Sequence, residues 1–177
     1  MRTRSSVSEM RSHRSADFEG ILRAFDARGI RLVVIGGVSA ALQGVPALTY
    51  DLDVVLDPEQ ENLDRAIELL RELDACFREH LPAKRLRPSR ADLDGPGAKL
   101  LVTSLGPLDI LGELATGWSH ADLEGRTRNL SLEDGLVLRV LDLASLIEVK
   151  EAVGREKDRA VLPLYRRVLL EREQRKE

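Results

Sequence analysis

Apolar positions in the first third of the chain follow helical spacing and then strand spacing. The first group recurs every three or four residues and predicts a helix that a glycine ends. Short apolar runs at 31–35 and 51–56 lie between turn residues, which predicts two strands. A small helix is predicted between them, around 38–42, because Gly44 and Pro46 would break a longer one. The residues at helical spacing are Phe18, Ile21, Leu22 and Phe25.

The middle of the chain combines one amphipathic pattern with a hairpin. Apolar residues at helical spacing predict a helix over 62–77. Residues 82–97 are polar and close with Gly-Pro-Gly, so we expect a loop region there. The runs 98–104 and 108–111 are joined by the turn Gly106-Pro107 and predict a hairpin. The helical residues are Leu63, Ile67, Leu70, Leu73 and Phe77.

The last third of the chain predicts short strands followed by helices. The strands are expected at 129–131 and 137–140. Asp142 is in position to cap a helix that runs to Gly154. A final helix is predicted after that glycine, bent or divided at Pro163 because proline breaks the helical hydrogen-bond ladder.

The order of these elements predicts the fold class. Strands and helices alternate early, hairpins follow, and helices finish, which indicates an α+β fold with a small mixed β-sheet, helices packed on one face, and a C-terminal helical segment. We expect a core over 17–140 and C-terminal helices over 141–177 that pack on it. Residues 1–16 are rich in Arg and Ser and predict a disordered tail, or alternatively a basic arm that touches RNA or a partner.

The composition narrows the class of protein. With 43% hydrophobic and 32% charged residues, the chain is globular and not disordered. Its 27 basic and 30 acidic residues leave a net charge of −3, so there is no global attraction to nucleic acid. The lone Cys76 excludes an internal disulfide and a cysteine zinc cluster and fits a cytoplasmic protein. No apolar run reaches the length of a membrane span, so we expect no membrane contact.

Two carboxylates interrupt the second predicted strand. Asp51 and Asp53 point to the same face of that strand, about 7 Å apart, because side chains alternate along a strand. Bare carboxylates are costly to bury, and oxygen ligands of this kind suit Mg²⁺. The pair therefore predicts a metal site. The alternative is an exposed edge strand on which the acids deter aggregation.

A third carboxylate has the same setting. Asp109 lies between Leu108 and Ile110 in the second strand of the predicted hairpin. If this strand lies beside 51–56, three carboxylates converge. Such a group can hold two metal ions about 3.5–4 Å apart, which would activate an attacking oxygen and stabilise a leaving pyrophosphate.

A glycine pair follows the first predicted strand. Gly36 and Gly37 lack a Cβ, which allows a ligand to approach the backbone, and a following helix offers free N–H groups to phosphate. Ser39 would add a hydroxyl. The alternatives are a tight turn at the glycines and a surface serine on the helix.

At these residues the chain resembles the nucleotidyltransferase superfamily that has the DNA polymerase beta type of fold. The resemblance rests on Gly36-Gly37, on Asp51-Leu52-Asp53 and on Asp109, in this order. The residues around them, Gly44-Val45-Pro46 and Thr49-Tyr50, are similar to the minimal bacterial nucleotidyltransferases of the abortive-infection toxin type. The C-terminal part resembles the lysine-bearing helix pair of that group, with Lys150, Arg155, Lys157 and Asp158.

The resemblance implies an activity and roles for these residues. The expected enzyme is a Mg²⁺-dependent nucleotidyltransferase, with two ions, that moves a nucleoside monophosphate from an NTP such as ATP to an acceptor hydroxyl. Asp51 and Asp53 would hold both ions, and Asp109 would complete the catalytic one and help to deprotonate the acceptor. The glycines would cradle the triphosphate. The basic residues Lys150, Arg155 and Lys157 would neutralise phosphate charge, although Lys150 snorkelling to solvent, and a solvated basic face, are equal alternatives.

The acceptor and the partners are expected by analogy. The resemblance implies RNA, the end of a tRNA or a protein hydroxyl as acceptor, in the toxin of a toxin–antitoxin pair; a small-molecule acceptor is the further option. One departure from the family pattern favours an alternative. Ala47 and Leu48 occupy the region where relatives carry an arginine, so the chain is alternatively a non-catalytic antitoxin or partner-binding module, or an RNA-binding face without chemistry.

Overall fold

The computed structural model describes residues 16–175, so all of the predicted N-terminal tail except its last residue lies outside the described part of the chain. Within this range the helices are α1 (Phe18–Ala27), α2 (Gly36–Leu42), α3 (Gln60–Glu72), α4 (Arg90–Asp94), α5 (Leu143–Val153) and α6 (Glu156–Gln174). The strands are β1 (Leu32–Ile35), β2 (Leu52–Leu56), β3 (Cys76–Phe77), β4 (Ala98–Val102), β5 (Pro107–Leu111), β6 (Thr127–Ser131) and β7 (Val137–Leu141). Short 3₁₀ helices lie at Arg78–His80 and His120–Leu123.

The strands described in residues 16–175 form one seven-stranded sheet in the order β3-β4-β5-β2-β1-β7-β6. The pairs β1–β7 and β2–β5 are parallel, whereas the other neighbours run antiparallel. The predicted α+β class with a mixed sheet is therefore confirmed.

Alternation along β1 and β2 gives the sheet two apolar faces. Leu52, Val54 and Leu56 pack with α1 and α3 in one core cluster. Val33 and Val55, which face each other in the sheet, belong to a second cluster with α5 and α6. The early helices α1 and α3 thus cover one face, and the C-terminal helices cover the other. Helices therefore pack on both faces of the sheet and not on one face as the sequence predicted. Burial of these aliphatic side chains is the main driving force for the arrangement.

Helix α3 ends earlier than its apolar pattern predicts. Asp74 adopts a positive φ of 52° after the helix, and Cys76 and Phe77 then pair with β4 as a short edge strand. Pairing with the sheet outweighs the helical pattern here because it satisfies backbone groups that the helix end would leave open. Cys76 is a buried free thiol.

The polar region at 82–97 also contains a helix that the composition did not predict. Ser89 caps α4 and forms a capping box with Asp92, a signal that the sequence does carry. The predicted Asp142 cap of α5 is present, since its side chain accepts a hydrogen bond from the Ser145 N–H at 2.7 Å. Helix α6 runs through Pro163 as one helix, so the chain is not divided there.

None of the helices within residues 16–175 combines the length and the apolar character needed to cross a bilayer.

Candidate active site

One row of paired residues crosses the middle of the sheet and carries the central carboxylates. Ile35 on β1 faces Asp53 on β2, Asp53 faces Asp109 on β5, and Asp109 faces Leu100 on β4. Directly paired residues point to the same face, and neighbouring strands lie about 4.8 Å apart. Asp53 and Asp109 are therefore neighbours on the face that α5 and α6 cover further along.

A cavity of about 570 Å³ opens over this row. Its walls come from the ends of β1, β2, β4 and β5, from the segment before β2, and from α5 and α6. All of the sequence-predicted site residues except Ser39 line it. They are Gly36, Gly37, Asp51, Asp53, Asp109, Lys150, Arg155 and Lys157.

The two glycines are needed for close approach within this cavity. Gly36 has a φ of +64°, and a Cβ built there would collide with the carboxylate of Asp53. A Cβ on Gly37 would lie 2.6 Å from Cβ of Thr49. The glycine turn therefore allows the end of β1 to pass directly beside the carboxylate of Asp53. This role does not depend on which ligand the cavity binds.

The carboxylates raise one another's affinity for protons. The pKa of Asp53 is raised to about 7, first by burial and then by the nearby charges of Asp51 and Asp109. Lys150 and Arg78 oppose this shift. The pKa of Asp109 is also raised, mainly by burial, although Arg78 counteracts it. A row of oxygen ligands with too little positive charge around it fits a hard divalent cation.

The carboxylates do not form a closed metal cage. Within the described residues, no group of three or more His, Cys, Asp or Glu side chains stands ready to hold a metal ion. Asp109 is bound by Arg78, whose Nη2 donates hydrogen bonds to the two carboxylate oxygens at 2.6 and 2.9 Å. The donor chemistry suits Mg²⁺, and Arg78 already binds both carboxylate oxygens of Asp109.

Sequence reasoning did not identify Arg78. This residue lies in the 3₁₀ helix after β3, 31 positions before Asp109, and reaches it only because β3 joins the edge of the sheet. The apolar pattern predicts a helix up to Phe77 and not the edge strand β3. The sequence therefore does not indicate the contact between Arg78 and Asp109.

The basic side of the cavity is organised by a buried acid, Asp158. Its Oδ1 accepts a hydrogen bond from Lys150 at 3.1 Å, and its Oδ2 accepts one from Arg155 at 2.6 Å. Burial raises the pKa of Asp158, but these two hydrogen bonds outweigh it and hold the pKa below its usual range. Lys150 is therefore paired inside the cavity wall, and the alternative of a lysine reaching into solvent does not describe it.

Ser39 lies away from the cavity, so the predicted phosphate contact and the alternative of a surface serine are both wrong. It is fully buried, and its hydroxyl donates to the carbonyl of Leu141 at 2.8 Å. Gln43 donates to the same carbonyl at 2.8 Å. The two side chains tie α2 to the end of β7, a contact across 102 positions that the sequence does not reveal.

Comparison with known proteins gives a likeness in fold. The sequence has no significant match to a protein-family model or to a curated protein. The lincomycin-bound crystal structure of the lincosamide antibiotic adenylyltransferase LnuA is similar, with a TM-score of 0.60 and 12% identity over 88% of this chain and 99% of that chain. A Thermotoga maritima protein provisionally assigned as a nucleotidyltransferase aligns with a TM-score of 0.49 and 23% identity over 86% of this chain and 90% of that one. The chain described here thus has the α+β fold of a nucleotidyltransferase.

Proposed function

We propose that the protein is a Mg²⁺-dependent nucleotidyltransferase that transfers a nucleoside monophosphate from an NTP to an acceptor hydroxyl. One observation carries the proposal. The carboxylate row of Asp53 and Asp109, with Asp51 beside it, lines the same cavity as the basic groups of α5 and α6. A triphosphate with its cation needs both kinds of group around it.

The roles follow from the chemistry of the two walls. Asp51 and Asp53 would hold Mg²⁺ together with the nucleotide phosphates, and Asp109 would join them once Arg78 releases it. Bound Mg²⁺ would supply stabilisation of the negative charge on the phosphates. Lys150, Arg155 and Lys157 would offset charge on the leaving pyrophosphate, and Asp158 would keep the first two in position.

The proposed reaction is a single displacement at the α-phosphorus. The acceptor oxygen forms a bond to that phosphorus, the bond from the α-phosphorus to the bridging oxygen of the β-phosphate breaks, and pyrophosphate leaves. The hydroxyl proton passes to Asp109 and then to solvent. Gly36 and Gly37 leave room for the triphosphate beside this row, since any side chain there would collide with Asp53 or Thr49.

The proposed acceptor carries a hydroxyl group. RNA, the end of a tRNA and a protein hydroxyl follow from the sequence resemblance to toxin-like nucleotidyltransferases, as does a cytoplasmic toxin of a toxin–antitoxin pair. A small-molecule acceptor is the further option from the sequence, and the likeness in fold to a lincosamide antibiotic adenylyltransferase supports it.

A second candidate is a non-catalytic module that keeps the fold and binds a partner. Two observations favour it: Arg78 occupies Asp109, and the family arginine is replaced by Ala47 and Leu48, which line the cavity. Calorimetric titration with Mg²⁺ and each NTP separates the two candidates. Failure to bind any nucleotide would support the partner role.

The transferase proposal is tested by measuring pyrophosphate release from each NTP in the presence of Mg²⁺ and cell extract. Release is expected with the wild-type protein and is expected to fall by at least about 100-fold in Asp51→Asn and Asp53→Asn, because each removes charge that acts on the transferred phosphate. Asp94→Asn is the matched control, an exposed aspartate outside the cavity. Equal release from all four proteins would contradict the proposal.

A further inference from the structure

Three of the exposed large apolar side chains gather at the mouth of the cavity. Within residues 16–175, the large hydrophobic residues with high exposure are Leu48, Tyr50, Leu86, Leu100, Val137 and Leu170. Leu48 is 90% exposed, Tyr50 is 79% exposed and Leu100 is 39% exposed, and all three line the cavity. We call these three residues the apolar lip.

The apolar lip flanks the carboxylates from two directions. Leu100 on β4 faces Asp109 directly in the sheet and therefore continues the carboxylate row by one strand. Tyr50 immediately precedes Asp51, in the segment between α2 and β2 that also carries Leu48. A molecule with a hydroxyl near Asp109 would thus have apolar surface beside it.

Covering such side chains is favourable. Removing apolar surface from water contributes about 25 cal/mol per Å², and an aromatic ring such as that of Tyr50 offers a flat face for stacking. Within residues 16–175, no side chain covers Leu48, which is nearly fully exposed. A ligand can therefore supply the missing contact.

The charges around the cavity argue against a polyanion at this end. The cationic side chains of the cavity wall, Lys150, Arg155 and Lys157, all come from α5 or the start of α6. Next to the lip stand Asp51 and the carboxylate row, and the nearby Arg78 is bound to Asp109. Among the described residues, the segment 47–51 and strand β4 contribute no cation to the lining of the cavity, so an RNA backbone lying on the lip has no basic side chain of these elements to pair with. The net charge of the chain, −3, adds no attraction for it.

We propose that the acceptor of the transferase is a small hydroxyl-bearing molecule with an apolar or planar face, and that Leu48, Tyr50 and Leu100 bind that face beside the carboxylate row. This inference rests on the proposed function, because it names the acceptor class of the same site. It also assigns the two ends of the cavity, with nucleotide phosphates at the basic wall of α5 and α6 and the acceptor at the lip.

In the test, three probes are added separately to the full protein, and binding is detected by NMR of labelled Leu and Tyr side chains. The probes are 2-naphthol, a planar hydroxyl compound; glycerol, which has hydroxyls without an apolar face; and a short oligo(A) strand. 2-Naphthol is expected to shift the signals of Leu48, Tyr50 and Leu100, while glycerol and oligo(A) leave them in place. Leu48→Ser and Tyr50→Ser are each expected to weaken 2-naphthol binding about five-fold or more, since each removes about 1–2 kcal/mol of apolar contact.

Leu170→Ser is the matched control, because this leucine of α6 is 58% exposed and lies outside the cavity. The proposal is overturned if Leu170→Ser weakens 2-naphthol binding as much as Leu48→Ser does, or if 2-naphthol leaves the lip signals unchanged. Shifts of the lip signals by oligo(A) would assign RNA instead. Shifts that depend on protein concentration without any probe would assign the lip to a second copy of the chain.

The same samples distinguish this inference from the function on which it rests. Nucleotide binding is measured separately with Mg²⁺ and NTP in wild type, Leu48→Ser and Asp53→Asn. If the lip does not prefer 2-naphthol over glycerol and oligo(A) while nucleotides still bind, the inference about the acceptor is refuted and the transferase proposal is not. Absence of any nucleotide binding in the wild type refutes the transferase, even if 2-naphthol still binds the lip.

Discussion

Arg78 donates hydrogen bonds from one guanidinium nitrogen to both carboxylate oxygens of Asp109, at 2.6 and 2.9 Å. Asp109 is largely buried and is the only residue of the described carboxylate row with an arginine bound to it in this way. The guanidinium therefore balances the charge of this carboxylate, and a metal ion that bound Asp109 would share its oxygens with Arg78.

Replacing this arginine is expected to change the affinity for Mg²⁺. Arg78→Gln removes the competing charge, so calorimetry without nucleotide is expected to show Mg²⁺ binding several-fold tighter than in the wild type, an effect of about 1 kcal/mol. Arg87→Gln is the matched control, since Arg87 pairs with Asp74 on the exposed surface. Weaker Mg²⁺ binding in Arg78→Gln would show that the arginine orients Asp109 and does not block it.

The glycine turn is expected to be intolerant of a side chain for two separable reasons. Gly36 and Gly29 both have positive φ, 64° and 59°, but only at Gly36 would a Cβ meet another group, the Asp53 carboxylate. Gly29→Ala is expected to lower the free energy of unfolding by about 1 kcal/mol, from backbone strain alone. Gly36→Ala is expected to cost distinctly more in the same urea titration. Equal losses for the two variants would mean that the close approach to Asp53 has no energetic consequence.

The buried acid between α5 and α6 is expected to stabilise the fold. Asp158→Asn removes the negative charge that Lys150 and Arg155 share and leaves them one acceptor oxygen where there were two. We expect a loss of about 1–3 kcal/mol near neutral pH by chemical denaturation. Because the pKa of Asp158 is depressed in the folded protein, its contribution is full above the unfolded pKa. It is then lost as the pH falls through the folded pKa.

The exposed pair between the same helices provides the control for Asp158. Glu151 and Arg166 form an ion pair with both side chains about half exposed. Glu151→Gln is therefore expected to change stability by less than about 0.5 kcal/mol. The account of Asp158 is wrong if the two variants lose the same amount at neutral pH.

The raised pKa of Asp53 predicts that stability depends on pH with the sign opposite to that for Asp158. Its pKa is near 3.8 in the unfolded chain and about 7 in the folded protein, so the folded state binds the extra proton between these values. Stability without Mg²⁺ is therefore expected to fall as the pH rises from about 4 to about 7, by a few kcal/mol at most. Asp53→Asn is expected to lack this part of the decrease, and thermal unfolding at a series of pH values measures the difference. Parallel curves for the two proteins would exclude a perturbed Asp53.

The carboxylate row could be predicted from the sequence because the alternation of side chains along a strand and the turn residues between strands are visible in short stretches of sequence. Asp51 and Asp53 are separated by one residue in an apolar run, and Asp109 has the same setting in a second run. The pairing of Asp53 with Asp109 then follows once β5 lies beside β2. Those patterns were enough to predict the α+β class and the carboxylate row.

The features around the site that the sequence did not predict depend on tertiary packing. Ser39 is buried by the end of β7, Arg78 reaches Asp109 through an edge strand, and Leu48 remains exposed because nothing in the described fold covers it. Such outcomes are decided by tertiary packing, which residue type and spacing alone do not specify.

The central claim is the transfer of a nucleotidyl group at the carboxylate row, and parallel labelling with NTPs that carry the label on the α- or the γ-phosphorus tests it most directly. The wild-type protein with Mg²⁺ and cell extract is expected to transfer α-label to an acceptor and to release γ-label as pyrophosphate, and Asp51→Asn and Asp53→Asn are expected to do neither. Transfer of the γ-label, or undiminished α-label transfer by the two variants, would contradict the account.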